Sequence, residues 1–179
     1  QGFVTYFSFF QLSVIAWLSL RIFMAREGKT TVKPWKTKSF IWLIMAAAFV
    51  YLAIDETCSL HAGIDLFIHY IFRIQETGWT DRIDDLVVGW YGLLGLLFLY
   101  YYRGEIIKYR QTFPLFLIGY SLLFIMVGLE ILSNRDDILS LFIADPSKLR
   151  TVFSQIKILE DMFKVLAEGI FIVAFYACL

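Results

Sequence analysis

The stretch FIWLIMAAAFVYLAIDETCSLHAGID, residues 40–65, decides the class of this chain. From Phe40 to Ile54 the run is apolar all round, with none of the polar spacing that a helix with a solvent face requires. Asp55, Glu56, Thr57, Cys58, Ser59, His61 and Asp65 then follow within a few positions. A helix apolar on every side sits in lipid or inside a bundle, and a sudden carboxylate pair marks where it meets water. A crossing needs about 20 mostly apolar residues. The run to Ile54 is short of that, so the helix is expected to continue through Asp55 to about residue 60.

Working outward, four further stretches have the same character: 3–24, 86–102, 113–132 and 160–179. The whole chain of 179 residues agrees, with 59% hydrophobic, 18% aromatic and only 18% charged residues and a mean hydropathy of +0.69. Ordinary globular domains are about 45–50% apolar and about 25% charged. A soluble domain of this length could not hide so much Phe, Leu, Ile and Tyr. A soluble enzyme and a nucleic-acid binder are therefore not expected, and no nucleic-acid partner is. Strands are not expected either, because open sheet edges cannot sit in hydrocarbon and no alternating ten-residue pattern announces a barrel. The expectation is an all-α integral membrane bundle of five transmembrane helices, forming one domain over 1–179. Both ends fall inside apolar segments, as in a processed or shortened chain.

The connections set the orientation. Loops 25–39 and 103–112, with Arg21, carry nine of the sixteen basic residues. Short basic loops stay cytoplasmic, so the two longer polar segments face outward, as in a bacterial inner membrane or an equivalent energy-transducing membrane. Fourteen of the sixteen acids lie on that outer side or at its boundary, all but Glu27 and Glu105. Insertion rules do not require such a bias, since acids contribute little to topology. Two short apolar stretches, 65–72 and 138–144, suit helices lying at the outer interface. Gly78-Trp79 and Asp145-Pro146 read as turns.

The chemistry concentrates at the outward helix ends. If the second helix runs on, Cys58, His61 and Asp65 share one face at i, i+3 and i+7. Thiolate, imidazole and carboxylate are all transition-metal ligands, and Asp55 and Glu56 could add oxygens or orient the imidazole. The plainer alternative is a solvated polar helix end. Glu130 stands among apolar residues near the outward end of the fourth span and is expected to face the bundle with a partner. Glu160 and Asp161 open the fifth span, where Asp161, Lys164 and Glu168 share a face, either as an ion pair that fixes packing or as a cation relay. Asp81, Asp84 and Asp85 fit a helix N-terminus. Asp55, Glu56, His61, Glu130, Glu160 and Asp161 are the candidate ligands of a divalent metal ion.

The motifs DExxxxH at 55–61, Glu130 at a helix end and EDxxK at 160–164 resemble those of uncharacterised bacterial multi-pass membrane proteins. That group carries a DExxxxHE motif, a later helix-end Glu and an EExxK or EExxE motif, and the likeness covers spans two to five. Here Ala62 stands in place of the Glu after His, and Asp161 in place of the second Glu. A ceramidase-like membrane hydrolase would use Ser59, Asp55 and several histidines around zinc, but the chain has only His61 and His69. Three readings follow. The first is a membrane protein with an acidic, metal- or cation-binding site at the outer boundary, and the second an accessory subunit of a larger membrane complex. The hydrolase comes third. Partners on these readings are the lipid bilayer and, on the second, other membrane subunits.

Overall fold

The computed structural model describes residues 2–27, 33–73, 83–133, 139, 143 and 145–179, with the side chains of 34, 61, 65, 83–88, 133 and 146 outside that description. Among the described residues all regular structure is helical: α1 (Phe3–Glu27), α2 (Phe40–Cys58), α3 (Leu60–Phe72), α4 (Ile83–Tyr101), α5 (Arg103–Ile106), α6 (Phe113–Ser133) and α7 (Pro146–Cys178), with short 3₁₀ segments at Pro34–Lys36 and Ile107–Thr112. Three runs are long and apolar enough to cross a membrane: Phe3–Glu27, Phe40–Cys58 and Arg103–Leu132. The chain divides into two compact units, residues 1–110 with 178–179, and residues 111–177.

The first unit is built on the α1–α2 hairpin. Its bend is tied by Ser39 Oγ, which donates to Glu27 Oε1 at 2.8 Å, and by the Thr37 hydroxyl, which donates to the same oxygen. The packed seam of α1 is Ser8, Leu12, Ile15, Ser19 and Ile22, at alternating spacings of four and three, and all five are buried. On α2 the matching seam is Trp42, Ala46, Phe49 and Ala53, of which only Phe49 is partly exposed. This is the spacing of helices packed at a shallow angle. Lipid is as apolar as a core, so helices associate there through close contact, and small seam residues allow it. Ser19 satisfies its hydroxyl on the Ile15 carbonyl at 2.8 Å.

The expected continuation of α2 does not occur. Ser59 adopts a left-handed conformation (φ 50°, ψ 51°), its N–H closes on the Asp55 carbonyl at 2.7 Å, and α3 starts afresh at Leu60. The periodicity that put Cys58, His61 and Asp65 on one face is therefore lost, because a left-handed residue turns the axis and resets the register. The short helix expected at 65–72 begins earlier, at Leu60, and ends where Arg73 takes φ 50° and caps onto the His69 carbonyl.

The segment 103–112, expected as a loop, is helical. It carries Glu105, which is 1% exposed. Arg26 grips this carboxylate from the end of α1, with Nε to Oε1 at 2.9 Å and Nη2 to Oε2 at 3.5 Å, and Lys108 Nζ donates to Oε2. A buried carboxylate is costly unless paired and hydrogen-bonded, and here two half-exposed cations share it. Trp42 packs edge-on against Tyr109 with ring centroids 5.2 Å apart, joining α2 to the same segment.

In the second unit α6 and α7 meet through Phe171. Its ring lies against Gly119, where a Cβ would come within 2.7 Å of it. Tyr120 and Phe116 flank it at 5.1 and 6.3 Å. The fifth expected span is part of a much longer helix. α7 has 33 residues, about 50 Å at 1.5 Å per residue, and starts well before residue 160. The reason is local. Asp145 caps it, accepting from the Ser147 amide at 2.9 Å and the Ser147 hydroxyl at 2.7 Å, and Pro146 occupies the first helical position. The dipeptide read as a turn is a helix start. Ser147's two hydrogen bonds hold the Asp145 carboxyl below its ordinary range. Of the helix expected at 138–144, only Leu139 and Ile143 are described, joined by an amide-to-carbonyl bond of 2.9 Å. Gly78, Trp79 and Asp81, and the side chains of Asp84 and Asp85, lie outside the described residues.

Candidate functional site

Asp55 sits in the last turn of α2 and is 7% exposed. Sixteen residues separate it from Ser39 at the hairpin bend, roughly 24 Å of helix. Counting back the same distance along α1 from Glu27 reaches Gln11, also 7% exposed. One turn below Asp55, the Tyr51 hydroxyl meets the Tyr91 hydroxyl of α4 at 2.6 Å, with the rings edge-to-face and 5.3 Å apart. Asp55 is near enough to act on Tyr91 electrostatically. Glu56 is half-buried beside it, and the Thr57 hydroxyl returns to the Ile54 carbonyl at 3.0 Å. His61 lies in the first turn of α3, with its side chain outside the described residues.

The second unit holds the other half of the expected set. α7 presents a stripe at Lys157, Glu160, Lys164, Ala167, Phe171, Ala174 and Cys178, again at alternating threes and fours. Its last four members are buried, as in any apolar seam, and its first three are charged. Glu160 is 5% exposed, and Lys157 Nζ donates to its Oε1 at 2.6 Å. Glu168, beside the stripe, is 4% exposed. Burial alone would push the Lys157 ammonium down; the hydrogen bond and charge of Glu160, with the charges of Glu130 and Asp161, outweigh it and carry the group above its usual value of 10.5. Glu130, half-buried in the last turn of α6, thus shares an electrostatic neighbourhood with Glu160 and Asp161. Lys157 thus feels the charges of two groups that sequence reasoning singled out separately, the helix-end Glu and the ED pair.

Chemically, this neighbourhood is rich in negative charge. Glu130, Glu160 and Asp161 act on Lys157, and Lys164 and Glu168 follow Glu160 one and two turns further along α7. Among the described residues, no three His, Cys, Asp or Glu side chains are gathered tightly enough to hold a metal ion. Sequence reasoning missed the Tyr51–Tyr91 pair and the pairing of Glu105. For Glu105 the signal was available: one acid set among Arg103, Lys108 and Arg110. Nothing in the apolar run marked the tyrosines as partners.

No curated protein matches the chain, and no solved structure does. One family model does, a domain of unknown function, DUF8692, aligned over residues 2–179. Because that match runs over nearly the whole chain, the protein belongs to the DUF8692 family.

Proposed function

We propose that this is a five-crossing integral membrane protein whose outward carboxylates bind a cation, either a divalent metal ion or a proton held between carboxylates. The crossings are 3–24, 40–60, 86–102, 113–132 and the last part of α7 over 160–179. Loops 25–39 and 103–112 are cytoplasmic, and α3 and the start of α7 lie at the outer interface. In the second unit Glu130, Glu160 and Asp161 are the ligands, and in the first Asp55 and Glu56 form a separate acidic helix end; each group carries the chemistry of the motif it belongs to. The observation that carries this is the buried carboxylate of Glu160. It lies on a packing stripe, close to Glu130 and Asp161, with Lys157 as the cation bonded to it. Like charges held together in a low dielectric drive uptake of a proton or a metal.

Two measurements test it. Cysteines at Lys33 and Lys108 should be labelled only from the cytoplasm, and one at Ser147 only from outside; labelling of Lys33 from outside would overturn the topology. Divalent cations or mild acid should raise the thermal stability of the purified protein, and Glu160→Gln should abolish that response. A protein indifferent to both would count as an accessory subunit instead.

A further inference from the structure

We infer that the basic face of the first unit is a binding surface for anionic phospholipid headgroups. Glu105 takes Arg26 and Lys108, and Glu27 is occupied by the hydroxyls of Thr37 and Ser39. Both acids on this face are thereby used internally. Lys36, Lys38 and Arg103 remain exposed, and among the described residues none of them has a carboxylate within ion-pair distance.

Their placement is specific. Lys38 lies across Gly104, whose missing Cβ would come within 3.1 Å of the Lys38 ammonium, so that ammonium sits beside the residue next to Arg103. The Arg103 guanidinium rests over the Tyr100 ring at 4.6 Å, and Lys33 lies 5.3 Å from the Trp35 ring. Tyr100, Tyr101 and Trp35 are exposed. Aromatic rings carrying cations at the ends of apolar helices belong at headgroup depth. The same surface bounds the end of α1, the start of α2 and the end of α4, so the phosphate it meets is that of a lipid. A weakly hydrated guanidinium beside an ammonium suits a phosphodiester.

The test uses the whole chain in vesicles of phosphatidylcholine, with and without phosphatidylglycerol, and reads lipid preference by native mass spectrometry of the extracted protein. Wild type should retain phosphatidylglycerol in preference to phosphatidylcholine. Neutralising Lys36, Lys38 and Arg103 to Gln should weaken that preference by about five-fold per charge removed. Lys148→Gln with Arg150→Gln, exposed in the second unit, should leave it unchanged and serves as the folded control. Inorganic phosphate should not displace the lipid from wild type. Equal retention of both lipids by wild type, a preference untouched by the triple change, or displacement by inorganic phosphate would each overturn the inference.

Discussion

Glu105 in the first unit and Glu160 in the second are both buried carboxylates with a lysine three residues away. Their surroundings differ in sign. Glu105 is one acid held by two cations, Arg26 and Lys108, drawn from two separate segments. Around Glu160 the balance leans the other way, since Lys157 is bonded to Glu160 and also feels the charges of Glu130 and Asp161. A closed ion pair of the first kind is a lock: it ties α1 to the 103–112 segment and asks for nothing more. On the function proposed above, a cluster of the second kind takes up a cation from outside the chain. Glu105 is thus structural charge, and on the proposed function the charge around Glu160 is open to a ligand; each assignment can be broken by substitution.

The largest effect is expected at the lock. Replacing both Arg26 and Lys108 by Ala strands a fully buried carboxylate and should cost about 3–5 kcal/mol. Glu105→Ala should cost less, about 1–3 kcal/mol, because the two cations left behind reach water. Unfolding in mixed detergent measures both, and an acid deletion costlier than the cation deletion would refute the assignment. Next is the contact that holds α6 to α7. Phe171→Ala should destabilise by about 2–4 kcal/mol, below the cost in a soluble core because lipid also accepts apolar surface. Substituting Gly119 by Ala should hurt too, by about 1–3 kcal/mol through overpacking of the ring.

At the cluster the expected response has a different form. Lys157→Met removes the shared cation and should cost about 1 kcal/mol, since that side chain is more than half exposed. Added divalent cation or mild acid should restore the loss, whereas neither would restore the Arg26 and Lys108 double change. The pH dependence has a definite sign. Lys157 is raised above its ordinary value in the folded protein, so its contribution is complete below about 10.5 and fades as pH rises through the folded value. The methionine variant should lack that alkaline loss. Smallest of all, Tyr51→Phe breaks the hydroxyl pair with Tyr91 and should cost about 0.6–1 kcal/mol, the usual range for hydrogen bonds between membrane helices.

Hydropathy alone located most helices. Phe113–Ser133 and Ile83–Tyr101 fall within a few residues of the expected 113–132 and 86–102. What it hid was the packing, because the α1 and α2 seams are written in residue size, Ser8, Ser19, Ala46 and Ala53, on helices apolar all round. The break after α2 was also illegible. Serine has no special tolerance for the left-handed conformation that Ser59 adopts, so composition gave no warning. The start of α7 was legible in Asp145-Pro146-Ser147 as an N-cap, but a reading led by hydropathy placed the helix where charge thins out, at residue 160. On the site, the acidic bias pointed to Glu130, Glu160 and Asp161, and the charges of all three act on Lys157. It could not reveal that Glu105, on the opposite charge background, is the most buried carboxylate among the described residues.

The most direct measurement counts the cation. Purified protein equilibrated with excess divalent metal and then freed of unbound ions is assayed for metal per chain, and in parallel for protonated carboxyl groups at neutral pH by infrared spectroscopy. The account predicts a stoichiometric metal ion or a protonated carboxyl signal in wild type, lost in both Glu130→Gln and Glu160→Gln and kept in Glu105→Gln. Absence of both signals in wild type, or their loss in Glu105→Gln alone, would contradict it.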